Sequence, residues 1–112
     1  MKVGDTSPWG GIQILTPFGE GIWFVSTASH GGFFLDAERN AKVPASWRRG
    51  TFREQGIRGW YEEDEDWCLV IKTFPERFPA EDLKKAKAAF SWWEKPRLAH
   101  GGRLPHEVER EG

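Results

Sequence analysis

Hydrophobic and polar positions alternate in short runs over the first third of the chain, a pattern that predicts strands rather than helices. Gly11–Thr16 and Ile22–Ser26 are two such runs, and the segment between them, 17–21, is rich in turn residues. We therefore expect the two runs to pair as an antiparallel hairpin. Phe33–Leu35 predicts a third, short strand. Residues 1–10 contain two glycines and a proline and predict a loosely structured N-terminal segment.

The middle of the chain carries signals for two short helices. Asp36 is a typical N-cap residue, and residues 37–42 have good helix propensity. Pro44 ends that helix and begins a second one over Ala45–Arg49. Residues 51–60 contain two glycines and predict a loop or a short strand.

The two longest hydrophobic patterns lie in the second half of the chain. Trp67–Phe74 is almost entirely apolar, which favours a central strand that is covered on both faces. Pro79 begins the longest predicted helix, and Pro96 ends it. Apolar residues recur along this helix at spacings of 3, 4 and 3, so they form one stripe that faces the core. The stripe consists of Leu83, Ala86, Phe90 and Trp93.

These elements predict a single α+β domain over residues 1–96. We expect a small antiparallel sheet of about four strands with the C-terminal helix, 79–95, packed on one face. A chain of 112 residues has the length of one domain. Residues 97–112 are polar and contain two glycines and a proline, which predicts a flexible tail.

Composition and charge narrow the classes of function. With 16 basic and 17 acidic residues, the chain has no overall bias towards nucleic acids or membranes. Four arginines lack the interleaved aromatic residues of a nucleic-acid platform, so we expect them to pair with acidic residues. They are Arg48, Arg49, Arg53 and Arg58. No apolar run approaches the ~20 residues of a membrane span, and the polar N-terminus does not resemble a signal peptide. A cytoplasmic location is expected, in which the single cysteine, Cys68, is a buried and inert thiol.

The first candidate for chemistry is the segment 26–32, which places hydroxyl groups, a histidine and two glycines between two apolar runs. Ser29 and His30 are neighbours, so on an extended backbone their side chains point to opposite faces. No Gly-x-Ser-x-Gly motif surrounds them, although an earlier hydroxyl of the segment could pair with His30 across a turn. Gly31 and Gly32 could present their amides to an anion. The simplest interpretation is a turn whose polar side chains bond to local backbone groups.

The second candidate is an acidic run, 62–66, with aromatic residues on both sides. In extended form, Glu62, Asp64 and Asp66 share one face, where three carboxylates could ligate Mg²⁺ or Ca²⁺. Crowded carboxylates could also supply a general acid, or the run could be a solvated turn. A fixed acidic surface could instead meet a basic groove on another protein. That predicted binding surface consists of Glu62, Glu63, Asp64, Glu65, Asp66, Trp60 and Tyr61. The chain has neither an EF-hand pattern nor zinc-ligand spacing, so we predict no metal and no cofactor.

Two stretches of the chain resemble a family of small uncharacterised bacterial domains encoded on plasmids, phages and other mobile elements. The motifs that carry the resemblance are Gly21–Gly32, then Glu38–Asn40 and Pro44, and Gly59–Asp64, then an apolar segment that ends at Phe74 and Pro75. The resemblance covers about residues 9–80 and brings no activity with it. It implies a mobile-element protein that acts against host defence.

We therefore expect an anti-defence protein of the anti-CRISPR or anti-restriction type. Its acidic surface would bind and inhibit a host nuclease or CRISPR effector complex. The alternative is a small enzyme, a hydrolase or transferase, in which His30 acts as acid or base with Glu62 or Asp64, and Ser29 is a further catalytic candidate. This alternative requires His30 to lie within about 3 Å, or one water molecule, of one of those carboxylates.

Overall fold

The computed structural model of the protein describes residues 1–99 and begins with a two-stranded antiparallel sheet. Strand β1 (Thr6–Ser7) pairs with β2 (Gly10–Gly11), and Trp9 lies in the turn between them. The Ser7 hydroxyl closes this turn, because it donates to the Gly10 carbonyl at 2.7 Å and accepts from the Trp9 amide at 3.2 Å. The prediction of a loosely structured N-terminal segment is therefore wrong.

The main sheet has four antiparallel strands, which confirms the predicted fold class. In sheet order these are β3 (Ile14–Pro17), β4 (Ile22–Ser26), β5 (Gly31–Leu35) and β6 (Trp60–Glu62). The expected hairpin is confirmed, although its first strand begins at Ile14 rather than at Gly11. The third expected strand is also present and begins two residues earlier, at Gly31.

Four α-helices and two 3₁₀ helices complete the described part of the chain. They are α1 (Ala37–Asn40), α2 (Ala45–Gly50), α3 (Trp67–Thr73), α4 (Ala80–Ala99), and the 3₁₀ helices Phe52–Arg58 and Pro75–Arg77. The Asp36 carboxylate caps α1 as predicted and accepts from the Arg39 amide at 2.9 Å. The 3₁₀ segment Phe52–Arg58 occupies the stretch for which we expected a loop or a strand, and a kink at Arg53 and Glu54, whose φ values are 54° and 56°, divides it into two short pieces. It ends at Gly59, whose φ of 92° suits glycine and turns the chain into β6.

The predicted central strand over Trp67–Phe74 is wrong, because this segment forms α3. Its four residues from Cys68 to Ile71 are all buried in succession. A helix covered on all sides gives the same unbroken apolar run as a central strand, so periodicity does not distinguish them. Cys68 is fully buried as expected, and burial raises the pKa of its thiol to about 12. The fourth strand of the sheet is instead β6.

Helix α4 packs on α3 through the predicted apolar stripe, in which Ala86 and Trp93 are buried. The helix does not end at Pro96 but continues to Ala99. Arg97 holds this last turn against α2, since it is 4% exposed and donates from Nε to the Gly50 carbonyl at 2.8 Å. A second donation from Arg97 reaches the carbonyl of Trp93. These bonds offset the amide that Pro96 lacks.

The predicted division into a domain at 1–96 and a tail at 97–112 stays a prediction, since most of that tail lies outside the described residues. His100 and His106, the other two histidines of the sequence, also lie outside the described residues. None of the helices within residues 1–99 has the length and apolar character needed to cross a membrane.

Candidate functional site

The register of the main sheet brings His30 to the acidic run. Gly32 of β5 lies opposite Glu62 of β6, and the pairing continues one step further, where the Glu63 amide donates to the Gly31 carbonyl at 2.9 Å. His30 directly precedes β5, and Asp64 lies in the turn that follows β6, so both lie at the same end of this strand pair as Glu62.

These three side chains form a cluster. One imidazole nitrogen and one oxygen from each carboxylate lie within 4.8 Å of one another. His30 and Asp64 are exposed, whereas Glu62 is only 8% exposed. The cluster opens into a cleft with a volume of about 300 Å³. The cleft is lined by Trp9, His30, Phe52, Glu62, Asp64 and Glu65.

Burial sets the electrostatics of Glu62. Loss of solvent is the largest effect and raises the pKa of its carboxyl group. The hydrogen bond from the Asp64 amide and the charge of His30 lower this pKa, whereas the charge of Asp64 raises it further. The bond from the Asp64 amide to Glu62 Oε1 is 3.0 Å long and fixes the carboxylate at the base of the cleft. No other hydrogen bond and no ion pair to this carboxylate forms within residues 1–99.

Trp9 forms one wall of the cleft. Its ring packs edge-on against Trp60 at 5.5 Å and lies directly over Gly32, where an added Cβ would come within 2.6 Å of the indole. The Trp9 carbonyl accepts the hydroxyls of Thr27 at 3.2 Å and Ser29 at 3.3 Å. Glycine is therefore required at position 32 so that Trp9 can approach the sheet next to Glu62.

The simplest interpretation of the 26–32 segment holds for Thr27, which bonds to local backbone, but not for Ser29, which bonds to a carbonyl 20 residues away in the chain. Thr27 Oγ1 donates to the His30 carbonyl at 2.6 Å and accepts from the His30 amide at 3.1 Å. Ser29 donates to Trp9 and is not part of the cleft lining. Gly31 and Gly32 belong to β5 and pair with its neighbours, so they do not form the anion-binding turn considered above. The imidazole of His30 alone turns from this segment to the cleft.

Phe52 also lines the cleft, and a buried acid holds it there. Asp66 is fully buried and accepts the Phe52 amide at 3.0 Å and Trp93 Nε1 at 2.9 Å. Its ion-pair partner is Arg97, whose Nη2 lies 3.9 Å from Oδ1, the oxygen that also accepts Trp93 Nε1. Burial raises the pKa of Asp66 to about 6, although these three partners oppose the rise. Asp66 thus ties the cleft wall to α4.

The acidic run is consequently not one surface, which corrects the extended form that we expected. It turns after Glu62, so Asp66 points into the core rather than along the face of Glu62 and Asp64. Tyr61 is also fully buried, and its hydroxyl donates to Asn40 Oδ1 at 2.5 Å. Of the predicted binding residues, Asp64 and Glu65 are exposed, and Glu63 and Trp60 are half-buried.

The arginines expected to pair with the acidic run do not provide its ion pair. Within residues 1–99, the ion pair of the run joins Asp66 to Arg97, a residue that we had assigned to the tail. Arg53 instead stacks on the Phe52 ring, with 5.2 Å from the guanidinium carbon to the ring centre. Within residues 1–99, none of the four arginines forms an ion pair with Glu62 or Asp64.

Sequence reasoning missed the two aromatic walls. Trp9 lies in a short Pro- and Gly-containing stretch, and a tryptophan at such a turn was the available signal. Phe52 carries no comparable signal, because its position depends on the bond from its amide to Asp66, 14 residues away.

The three side chains of the cluster are placed to act through a water molecule or metal ion bound between them. No hydrogen bond joins the His30 imidazole directly to Glu62 or Asp64 among the described residues, yet all three reach a common point within 4.8 Å. A water molecule or a metal ion at that point could contact all three. The enzyme alternative required His30 to lie within about 3 Å, or one water molecule, of Glu62 or Asp64. The separation of up to 4.8 Å is too long for a direct hydrogen bond but can be bridged by one water molecule.

One protein-family model, described as a domain of unknown function (DUF7007), matches residues 2–109. It confirms the expectation of an uncharacterised domain family. Searches of curated proteins and of solved structures found no match.

Proposed function

Because the chain belongs to the DUF7007 family of domains of unknown function, we propose its function from the cleft itself. The proposed function is that of a small enzyme, a hydrolase or a transferase, whose reaction centre is the cluster of His30, Glu62 and Asp64. The single observation that supports it is the convergence of these three side chains within 4.8 Å at the base of a cleft of about 300 Å³. Two separate segments of the chain supply them.

The burial of Glu62 supports a chemical role for the cluster. A carboxylate that is 8% exposed and accepts one backbone amide is expensive to keep charged without a further partner. Burial raises the pKa of the Glu62 carboxyl group, which favours the protonated form relative to an exposed glutamate. His30 is exposed and lines the cleft, where it can contact a substrate.

The aromatic walls support a binding role for the rest of the cleft. Trp9 and Phe52 flank the cluster on rigid supports, one over Gly32 and the other bonded to Asp66. Pockets of this size with apolar walls and a few convergent polar groups are typical of small-molecule and side-chain binding sites.

The proposal is tested by screening the purified chain against esters, phosphate mono- and diesters, peptides and glycosides. For any substrate that is turned over, His30→Ala and Asp64→Asn should each lower kcat/KM by about 10²–10⁴-fold. Ser29→Ala is the matched control and should keep most of the activity, because Ser29 bonds to the Trp9 carbonyl outside the cleft. Turnover that survives His30→Ala, or no turnover of any substrate class, would contradict the proposal.

An anti-defence binding protein is the second candidate, together with a mobile-element origin, a cytoplasmic location and a host nuclease complex as partner. The observation that favours it is the pair of exposed carboxylates, Asp64 and Glu65, next to Phe52, which is 36% exposed. Such a patch could meet a basic groove on the partner. In this case, reversing Glu63 and Asp64 to Lys should abolish partner binding, whereas His30→Ala should leave it intact.

A further inference from the structure

Charge at the base of the cleft is unbalanced. Glu62, Asp64 and Glu65 all line it, and no Lys or Arg forms an ion pair with any of them within residues 1–99. Glu62 is more than nine-tenths buried, and a buried carboxylate is normally paired with a cation or bound to a metal. Among the described residues of the lining, the only basic group is the His30 imidazole.

The donor set has the composition of a metal site. Neutral imidazole nitrogen and carboxylate oxygen are both common ligands of Zn²⁺, at about 2.0–2.2 Å, so ligand atoms on one tetrahedral ion lie about 3.3–3.6 Å apart. The three atoms of the cluster lie within 4.8 Å of one another. Side-chain rotations of about 1 Å in the exposed His30 and Asp64 would close the difference. Glu62 would supply a fixed ligand, since the Asp64 amide holds its other oxygen.

We infer that His30, Glu62 and Asp64 bind one divalent transition-metal ion of the Mn²⁺ to Zn²⁺ series. One nitrogen with two oxygens favours these ions over Mg²⁺ and Ca²⁺, which take oxygen ligands almost exclusively. Three protein ligands with a cleft on the open side are typical of a catalytic rather than a structural zinc site. The inference rests on the proposed function only in assigning the ion to a reaction centre, where such an ion activates a bound water molecule or polarises a substrate oxygen.

The prediction that the chain binds no metal came from spacing alone. One histidine and two carboxylates more than 30 residues further along the chain form no recognisable motif. They become neighbours because the pairing of β5 with β6 places Gly32 opposite Glu62.

Isothermal titration of the chelator-treated full chain with ZnCl₂ and with MnCl₂ tests the inference. One equivalent should bind, with Zn²⁺ tighter than Mn²⁺ and Mn²⁺ tighter than Mg²⁺, which is the order for nitrogen-containing sites. Loss of an outer-shell partner weakens metal binding by about 10–100-fold. Asp64→Asn and His30→Gln each remove a direct ligand, so each should weaken Zn²⁺ binding by about 10²-fold or more. Circular dichroism should show both variants folded, because both side chains are exposed.

Two control variants make the test specific. Glu65→Gln removes an acid of the same cleft outside the cluster and should leave the affinity nearly unchanged. The double variant His100→Ala and His106→Ala removes the other histidines of the sequence and should still bind one equivalent. Equal losses in Glu65→Gln and Asp64→Asn, tightest binding of Mg²⁺, or loss of binding in the double variant would each overturn the site.

Failure of this inference and failure of the proposed function are distinguishable. Turnover that depends on His30 and Asp64 but persists in excess chelator overturns the metal site and leaves the enzyme proposal standing. One tightly bound equivalent of Zn²⁺ at the cluster without turnover of any substrate class supports the metal site and contradicts the enzyme proposal.

Discussion

Asp66→Asn should remove a pH dependence of stability that the wild-type chain carries. Asp66 is fully buried and bonds to two elements, the 3₁₀ segment through the Phe52 amide and α4 through Trp93 and Arg97. Asparagine has nearly the same shape and keeps an oxygen for one donor, but it never ionises. The comparison therefore isolates the charge of this carboxylate.

The sign follows from the direction of the pKa shift. Burial raises the pKa of Asp66 from an ordinary 3.8 to about 6, so the folded chain holds the proton more tightly than the unfolded chain does. The stabilising contribution is complete below a pH of about 4, falls as the pH rises, and is lost above a pH of about 6. The two pKa values differ by an amount that corresponds to about 3 kcal/mol of unfolding free energy.

Urea unfolding followed by tryptophan fluorescence measures this effect between a pH of about 4 and about 8. A chelator is included so that no metal ion contributes. The unfolding free energy of the wild type minus that of Asp66→Asn should fall by about 3 kcal/mol from a pH of about 4 to about 7. Glu76→Gln, at an exposed position, is the control and should give a flat difference. A difference for Asp66→Asn that stays constant across this range would refute the reasoning.

Three further outcomes follow from the packing around the cleft. Gly32→Ala should lower the unfolding free energy measured in urea by about 1–3 kcal/mol, because the added Cβ would lie 2.3 Å from the Tyr61 carbonyl and 2.6 Å from the Trp9 ring. An unchanged unfolding free energy would mean that the indole does not cover the glycine. Tyr61→Phe should destabilise the chain by about 1–3 kcal/mol, because it leaves the buried Asn40 Oδ1 without its donor, and a neutral effect would contradict that hydrogen bond. The Cys68 thiol, with a pKa of about 12, should resist a thiol reagent in the folded chain and react once urea is added, and rapid labelling without urea would show that it is not buried.

Local patterns predicted the β3–β4 hairpin, the third strand and the α1 cap. The turn residues at 17–21 and the apolar strands on either side are sufficient to specify the β3–β4 hairpin, because all the interactions involved are close in sequence. The Asp36 cap likewise depends on residues within one helical turn.

Features that depend on distant contacts could not be predicted in the same way. The segment Trp67–Thr73 is a helix because it is enclosed by the sheet and α4, and its apolar run would equally suit a central strand. Pro96 does not end α4, because Arg97 bonds to the Gly50 carbonyl on another helix. In both cases tertiary packing overrides the local signal.

The sequence identifies the residues of the cluster but not their proximity. It singles out His30, Glu62 and Asp64, since a histidine between two strands and an acidic run beside aromatic residues are unusual in ordinary turns. Their meeting depends on the register of β5 against β6, which no single segment encodes. The separation of Asp66 from the other acids required the partners Phe52 and Trp93 to be in place.

The central claim is that the cluster of His30, Glu62 and Asp64 binds a metal ion. A crystal structure of the full chain grown with MnCl₂ tests it most directly, because the anomalous signal of Mn²⁺ locates the ion itself. We predict one peak at the base of the cleft, bonded to His30, Glu62 and Asp64 at about 2.0–2.2 Å. A map without that peak, in which the His30 imidazole lies beyond the reach of one water molecule from both carboxylates, would contradict the account.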